Sequence, residues 1–260
     1  MRTEQLHLAV SGTYSTGKTT TTEALSLATG IPRTHAMTAR EILVDLVPGK
    51  QMMDLSAMEL MAIGLRRLEE RIHHEAMAIG ASGSFVCDGS VIHEWVYGEV
   101  RMRVGINPGA GLLQRAVKNV AGLPIKRFYQ QYMDAYGAVT KNRAKRIYDA
   151  YIHLPVEFEM KKDGHRPVSE KFRKASDDLL LETLDELGIP YHVVGGPIAE
   201  RVTKVIDIFG LPTVMPVDEA IEIALERVRT ATAILEEDDR HHANQRAKSP
   251  WKRMKYAMRY

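Results

Sequence analysis

The chain has 260 residues, of which 45% are hydrophobic and 26% are charged, and its formal net charge is +2. These values suit one large α/β domain or two small ones, and they exclude collagen-like, low-complexity and wholly disordered chains. The single cysteine excludes a disulfide framework and a four-cysteine zinc site, and it predicts a cytoplasmic protein. The lack of a long apolar run predicts that no segment spans a membrane.

Short apolar segments predict the strands of a sheet, at residues 6–10, 31–36, 84–87, 147–154 and 191–194. Segments of helical character separate them, at residues 19–29, 55–81, 169–187, 198–209 and 217–235. Because strands that alternate with helices pair in parallel through right-handed crossovers, we expect a doubly wound α/β sheet. No linker divides the chain, so we expect one domain over residues 1–235 and a charged C-terminal tail over residues 236–260.

A phosphate-binding loop is predicted between the first strand and the first helix, where the sequence matches the pattern GxxxxGK[ST]. The glycines let successive backbone N–H groups point at a phosphate, and the N-terminus of the helix adds positive charge. Lys18 would supply a cation for the β- and γ-phosphates, and the Thr19 hydroxyl would be a ligand for Mg²⁺. The alternative, a glycine-rich turn that happens to contain lysine, is disfavoured by the flanking strand and helix. The predicted cofactor-binding residues are Gly12, Thr13, Tyr14, Ser15, Thr16, Gly17, Lys18, Thr19 and Thr20.

Asp88 follows the strand predicted at residues 84–87, at the carboxyl edge where open α/β sheets bind ligands. There its carboxylate could hold Mg²⁺, directly or through water, or accept a proton from a substrate hydroxyl. The alternative is an ordinary helix cap, which Asp88 could form alongside Ser90. The nearby phosphate-binding loop favours the functional interpretation, so we expect Thr19 and Asp88 to be the metal ligands.

Between the third strong strand and the next helix, residues 157–174 are predicted to form a lid. The segment is bounded by glycine and proline and carries many cations, as expected of a loop that closes on phosphates. Arg166 and Arg173 are the strongest candidates for stabilising transition-state charge, because a planar guanidinium can grip two phosphate oxygens at once. A solvated turn and helix start is the alternative.

The acceptor site is expected between the exit of the second strand and the segment after Asp88. After the second strand, Arg40 could hold an anionic or polar acceptor, and Glu41 could be the general base if desolvation raises its pKa. An exposed helix start is the alternative for this pair.

The segment after Asp88 supplies further candidates for contact with the acceptor. Ser90 could contact it, and Trp95 and Tyr97 could stack on a flat ring. Large aromatic side chains on a helix more often belong to the core, and this alternative stays open.

Residues 98–146 are predicted to form a basic helical insertion. The net charge is +9 over residues 101–146 and −10 over residues 147–239, so the value of +2 for the whole chain is a cancellation between blocks. Arg101 and Arg103 are candidates for binding an anionic acceptor. A solvated helical face is one alternative, and single-stranded nucleic acid is another, because tyrosines are interleaved with the basic residues. The small-molecule interpretation is preferred because the segment lies inside the order of kinase-like elements.

The loop, the Phe85–Ser90 segment, residues 147–155 and residues 163–166 occur in an order that resembles the P-loop kinase group. Within that group the chain is most similar to AAA-type ATP-binding proteins related to the ribosylnicotinamide kinase domain of NadR, over roughly residues 5–210. The resemblance implies a five-stranded parallel sheet flanked by helices in a P-loop NTPase fold, with ATP as phosphoryl donor and Mg²⁺. It also implies a nucleoside-like or other small hydroxyl acceptor, and places residues 163–166 in the lid.

The preferred hypothesis is an ATP- and Mg²⁺-dependent kinase acting on a hydroxyl group of a small metabolite, with Lys18, Glu41, Asp88, Arg166 and Arg173 as catalytic residues. GTP is an open alternative to ATP, because no base-reading motif is recognisable. A regulatory NTPase that couples hydrolysis to a partner is the second hypothesis, and an ATP-using nucleic-acid-binding module is a weaker third. A homo-oligomer is also compatible with the sequence.

Overall fold

The computed structural model describes residues 5–35, 37, 39–46, 55–104, 123–157 and 170–247. Several predictions fall outside these ranges: Arg166 and residues 158–169 of the lid, residues 105–122 of the basic insertion, and residues 248–260 of the tail. The side chain of Arg40 also lies outside the described part.

Five parallel strands form the sheet, in the spatial order β2-β3-β1-β4-β5. The strands are β1 His7–Ser11, β2 Arg33–Thr34, β3 Phe85–Asp88, β4 Ala150–His153 and β5 Tyr191–Val193. This architecture confirms the predicted doubly wound sheet. Its register places Val10 opposite Asp88 and Ser11 opposite His153, so the carboxyl ends of the three central strands meet at one edge.

Helices connect and cover these strands. They are α1 Lys18–Thr29, α2 Ala39–Leu46, α3 Ala57–Ser82, α4 Val91–Val104, α5 Leu123–Ile147, α6 Glu170–Leu187, α7 Ile198–Phe209 and α8 Val217–Ala247. Most of the predicted helices are confirmed to within two residues at their ends. Their boundary signals are the expected ones: Gly30, Gly83 and Gly210 end helices in the left-handed conformation, and Ser56 begins α3 with a capping box to Glu59.

The predicted strand at residues 31–36 is shortened to Arg33–Thr34, and the boundaries of two further elements differ by more. The strand predicted at residues 147–154 begins only at Ala150, because the apolar residue Ile147 is the last residue of α5. Helix α8 continues to Ala247, twelve residues past its predicted end and into the segment predicted as a tail. Residues 236–247 contain no glycine or proline, so nothing in their backbone chemistry stops the helix.

Side chains alternate between the two faces of the sheet, and each face has its own core. In β1, Ala9 belongs to the core under α4, α5 and α6, whereas Leu8 and Val10 belong to the core under α1, α7 and α8. This period of two is the geometry of a strand buried on both faces. Cys87 is fully buried in the first core, and burial raises the pKa of its thiol well above the ordinary value, as expected of a packing residue.

Trp95 belongs to the first core, where α4 packs against α5 through a glycine. Trp95 is 7% exposed, and a Cβ added to the buried Gly137 would lie 2.6 Å from Trp95 Nε1. The Lys141 ammonium lies 4.6 Å from the centre of the same ring, on the same helix as Gly137. This packing favours the core alternative for Trp95 over stacking on a ligand.

We predict that Gly137→Ala lowers the free energy of unfolding by about 1–3 kcal/mol, because overpacking against Trp95 exceeds the gain in helix propensity. Gly80→Ala is the matched control, since Gly80 is an exposed helical glycine with nothing within 4 Å of the added Cβ. That control should stabilise the protein by up to about 1 kcal/mol. Urea unfolding followed by circular dichroism measures both, and equal effects of the two substitutions would contradict the close packing of α5 on Trp95.

Candidate active site

The predicted phosphate-binding loop, residues 12–19, connects β1 to α1 as expected. Gly12 has φ 135°, and a Cβ there would lie 2.6 Å from the carbonyl oxygen of Leu154, so only glycine fits at this position. Gly17, with φ 87°, precedes the first residue of α1, and the Thr21 N–H donates to its carbonyl. Ser15 also has positive φ, at 60°. The backbone is therefore bent into the left-handed region at three points of one short loop.

Two side chains of the loop converge on one backbone carbonyl. Lys18 Nζ donates to the Thr13 carbonyl oxygen at 2.6 Å, and the Thr16 hydroxyl donates to the same oxygen at 3.1 Å. Thr20 follows, half-buried, in the first turn of α1. The contact holds the Lys18 ammonium against the backbone of the loop.

Thr19 and Asp88, the two predicted metal ligands, are brought together. Thr19 Oγ1 donates a hydrogen bond of 2.5 Å to Asp88 Oδ2. Within the described residues, no group of three or more His, Cys, Asp or Glu side chains is arranged to hold a metal ion. A hydroxyl and one carboxylate nevertheless fit Mg²⁺, which keeps several waters and takes one or two carboxylates together with phosphate oxygens.

A buried arginine holds the backbone that carries Asp88. Arg71 of α3 donates through Nη1 to the carbonyl oxygens of Asp88 and Gly89, at 3.1 Å each. Its Nε donates to Glu94 Oε1 at 3.1 Å, and Arg67 Nη1 lies 2.7 Å from Glu94 Oε2. Glu94 stands in the first turn of α4, so this network fixes the turn from β3 into α4.

The two arginines of this network are absent from the residues predicted for the site, whereas Glu94 lies in the segment after Asp88 that is expected to line the acceptor site. The available signal is two arginines four residues apart in α3, which place two guanidinium groups on one helix face. Sequence does not reveal their partner, because Glu94 lies on another helix.

Ser90 is fully buried and caps the start of α4. The Ile92 N–H donates to Ser90 Oγ at 3.3 Å, and the Ser90 N–H donates to His93 Nδ1 at 2.9 Å. Because the backbone N–H must be the donor, Nδ1 of the neutral ring is the acceptor and Nε2 carries the proton. Burial lowers the pKa of His93 well below its ordinary value, and the nearby Lys18 adds to this effect. The imidazole is therefore neutral at neutral pH.

Tyr97 joins the phosphate-binding loop to two helices. Its ring stacks on Tyr14 of the loop, with centroids 4.7 Å apart and planes inclined by 14°, and Phe172 of α6 lies 6.2 Å from Tyr14. Burial raises the pKa of Tyr97 well above its ordinary value, so its hydroxyl remains protonated. The loop, α4 and α6 thus meet through aromatic rings.

The remaining candidates are more dispersed. Arg173, near the start of α6, is 1% exposed, and its Nη1 lies 3.6 Å from Glu170 Oε1. Glu41 is half-buried in the first turn of α2. Arg101 and Arg103 lie in the last turn of α4, where the exposed Arg103 donates to Glu99 at 2.9 Å. Glu41 on the one hand, and Arg101 and Arg103 on the other, are predicted for the same acceptor site but lie on two different helices.

We predict that His93→Asn weakens the pH dependence of stability. A histidine with a depressed pKa in the folded state costs stability as the pH falls below its unfolded value of about 6.5, because the unfolded chain then binds the proton more readily. This group should contribute a loss of up to about 1.4 kcal/mol per pH unit. Asparagine can still accept the Ser90 N–H bond but does not titrate.

Urea unfolding at several values between about pH 5.5 and 7.5 measures this difference. The slope of unfolding free energy against pH should be shallower in the variant, with an unchanged dependence on urea concentration. Parallel curves for the two proteins would show that His93 is not buried in the neutral form.

Comparisons with known proteins identify the family of the chain. The family model of the AAA domain matches residues 7–201, which is most of the chain and includes the loop, Asp88 and Arg173. Comparison with curated proteins found no match. Among the described residues, none of the helices combines the length and the apolar character that crossing a membrane requires.

A solved structure with low sequence identity shares the fold. A deoxyadenosine kinase from M. mycoides with bound dATP superposes with a TM-score of 0.53 and 13% identity, over 79% of this chain and all of that one. A thymidylate kinase from Ehrlichia chaffeensis gives a TM-score of 0.44 and 15% identity, over 78% of this chain and 97% of that one. The five-stranded parallel sheet is thus the P-loop NTPase fold. With its family match and its phosphate-binding loop, the chain belongs to the AAA domain family and has the fold of the P-loop kinase group.

Proposed function

We propose that this protein is a phosphotransferase that moves the γ-phosphoryl group of ATP to a hydroxyl group of a small acceptor. The observation that carries the proposal is the hydrogen bond between Thr19 and Asp88, beside a loop whose Lys18 ammonium lies on the Thr13 carbonyl. Phosphoryl transfer requires a cation and hard oxygen ligands at one point, with little further chemistry from the protein. These groups meet that requirement at the carboxyl edge of the sheet, where open α/β folds bind ligands.

The donor would lie along residues 12–20. The loop N–H groups and Lys18 would hold the β- and γ-phosphates, helped by the N-terminal end of α1. Arg166 and Arg173 are proposed to neutralise charge that develops on the transferred group. The role of Arg173 is supported by its position. The ring centres of the neighbouring Phe172 and of Tyr14 are 6.2 Å apart, so the start of α6 lies beside the loop.

Thr19 and Asp88 would hold Mg²⁺ together with phosphate oxygens and water. When bound, the ion supplies positive charge next to the β- and γ-phosphate oxygens. The chain's own contribution is to fix the position of Asp88. Arg71 donates to the carbonyl oxygens of Asp88 and Gly89, and these bonds hold the backbone that carries the carboxylate.

For transfer, a carboxylate accepts the proton of the acceptor hydroxyl, and the hydroxyl oxygen forms a bond to the γ-phosphorus. The bond from that phosphorus to the bridging oxygen breaks, and ADP leaves with the bond's electron pair. Asp88 and Glu41 are the two candidates for the base. If Asp88 binds the metal, Glu41 is the base, and the half-buried position of Glu41 at the start of α2 is compatible with that role.

A flat, nucleoside-like acceptor is proposed because aromatic side chains lie beside the loop. Of the predicted substrate-binding residues, Tyr97 contacts the loop, since its ring stacks on Tyr14. The likeness in fold to a deoxyadenosine kinase points to the same class of acceptor. Arg40, Arg101 and Arg103 are proposed to add selectivity for an anionic group on the acceptor.

We predict that γ-labelled ATP transfers its label to a nucleoside-like acceptor when the protein is offered nucleosides, nucleotides, sugars and amino alcohols in parallel. Competition with unlabelled GTP in the same assay determines which nucleotide is the donor. Label appearing only as inorganic phosphate, at a rate that no candidate acceptor changes, would instead favour the regulatory NTPase. Binding of single-stranded nucleic acid that stimulates such hydrolysis would favour the third hypothesis.

We predict that Asp88→Asn and Glu41→Gln both lower kcat, by about 10²- to 10⁴-fold for whichever carboxylate is the base. Only Asp88→Asn should raise the Mg²⁺ concentration needed for half-maximal activity, because only Asp88 lies on the Thr19 hydroxyl. Mg²⁺ titrations at saturating ATP measure this difference. Equal Mg²⁺ requirements in the two variants would contradict the assignment of Asp88 as a metal ligand.

A further inference from the structure

Behind the phosphate-binding loop lies a guanidinium that is 1% exposed. Arg201 of α7 donates through Nη1 to the Thr16 carbonyl at 2.7 Å, through Nε to the Gly196 carbonyl at 2.6 Å, and through Nη2 to Glu157 Oε2 at 2.7 Å. Every nitrogen of the fork has an acceptor. The residue therefore ties the loop to the segments that follow β4 and β5.

Glu157 closes the same cluster from the other side. Its two carboxylate oxygens accept the Gly196 N–H at 2.9 and 3.1 Å, in addition to the bond from Arg201. The Gly196 N–H, and after it Arg201, lowers the pKa of Glu157 below its ordinary value. The carboxylate is therefore ionised at neutral pH, and the charge of the buried guanidinium is balanced.

Peptide geometry connects this cluster to the front of the loop. The Thr16 carbonyl and the Gly17 N–H belong to one peptide plane, and in a trans peptide they point in opposite directions. Arg201 holds the carbonyl at the back, so the Gly17 N–H must point to the other side. Gly17 has φ 87° and, as a glycine, can adopt either sign of φ, so without this anchor its peptide would have other orientations available.

The Arg201 guanidinium also lies close to the backbone of Gly17. A Cβ added at Gly17 would lie 3.3 Å from Arg201 Nη1. Lysine has no second nitrogen and could not reach the Thr16 carbonyl, the Gly196 carbonyl and Glu157 at once, which is the property that a guanidinium fork supplies. A buried ion pair adds little net stability compared with apolar packing, so orientation of the loop is the better explanation for this one.

We propose that Arg201 is a positioning residue for phosphate binding: it orients the Gly17 N–H toward the phosphates through the Thr16 carbonyl, and Glu157 acts through Arg201. This inference rests on the proposed function, in that residues 12–19 must bind phosphates. It assigns to α7 and to the loop after β5 a part in the donor site without contact with the ligand.

The test is binding of inorganic tripolyphosphate, which engages only the phosphate cradle, measured by calorimetry at one fixed Mg²⁺ concentration. Arg201→Met should weaken binding by about tenfold or more, since a charged hydrogen bond that orients a phosphate donor is lost. Arg227→Met is the matched control: it removes an arginine of α8 that is 60% exposed and pairs with Glu23 away from the loop. The control should bind tripolyphosphate like the wild type.

Glu157→Gln and the double variant test the order of action. Glu157→Gln should weaken tripolyphosphate binding less than Arg201→Met does, and should have no further effect in the Arg201→Met background. An equal effect of Glu157→Gln in both backgrounds would overturn the proposal. Arg201→Lys, which keeps the charge but not the fork, replaces Arg201→Met in the cycle if the methionine variant does not fold.

A purely structural role predicts a different result. Arg201→Met would then lower the free energy of unfolding, yet bind tripolyphosphate as the wild type does well below its denaturation midpoint, and this outcome would overturn the proposal. If residues 12–19 do not bind phosphates, the wild-type protein itself will bind neither tripolyphosphate nor ATP. Failure of the proposed function is distinguishable, because a wild-type protein that binds tripolyphosphate but transfers label to no acceptor would contradict phosphotransfer and leave the role of Arg201 unchanged.

Discussion

The hydrogen bond between Thr19 and Asp88 depends on the parallel register of β1 and β3, and the candidate active site depends on that bond. Val10 lies opposite Asp88, and the Gly89 N–H continues the ladder by donating to the Val10 carbonyl at 2.9 Å. The phosphate-binding loop begins two residues after Val10. A slip of one residue between these strands would turn the Asp88 side chain to the other face of the sheet and separate it from the loop.

Two buried arginines lie near this edge of the sheet, and their hydrogen bonds hold its backbone in position. Arg71 and Arg201 are each almost fully buried, and each donates to backbone carbonyls as well as to one carboxylate. Apolar residues that replace a whole buried ion pair often give similar stability, but they could not hold a carbonyl in a fixed direction. The two arginines therefore fix the two backbone segments of the site: the Asp88–Gly89 turn, and the Thr16–Gly17 peptide of the loop.

The sheet and the loop could be predicted from sequence because their signals are local. A short apolar run marks β1 or β3 by itself, and the glycine spacing marks the loop. Contacts between distant segments have no such signal: Arg201 lies 185 residues from the Thr16 carbonyl that it holds. Ile147 illustrates the limit even for local patterns, because an apolar residue at the end of α5 has the same appearance as the first residue of a strand.

The basic residues of the 101–146 block also have contacts that the sequence pattern does not reveal. The basic block at residues 101–146 suggests an anion-binding segment, yet α5 places Lys141 on Glu186 of α6 and Arg143 on Glu75 of α3. Tyr148 donates to the same Glu75 and accepts the N–H of Val91, the first residue of α4. Cations of the basic block thus pair with acids of the flanking blocks and hold helices around the site. The charge of a block overstates what is available to a ligand, so the case for phosphate binding rests on Lys18 and the N–H groups of the loop.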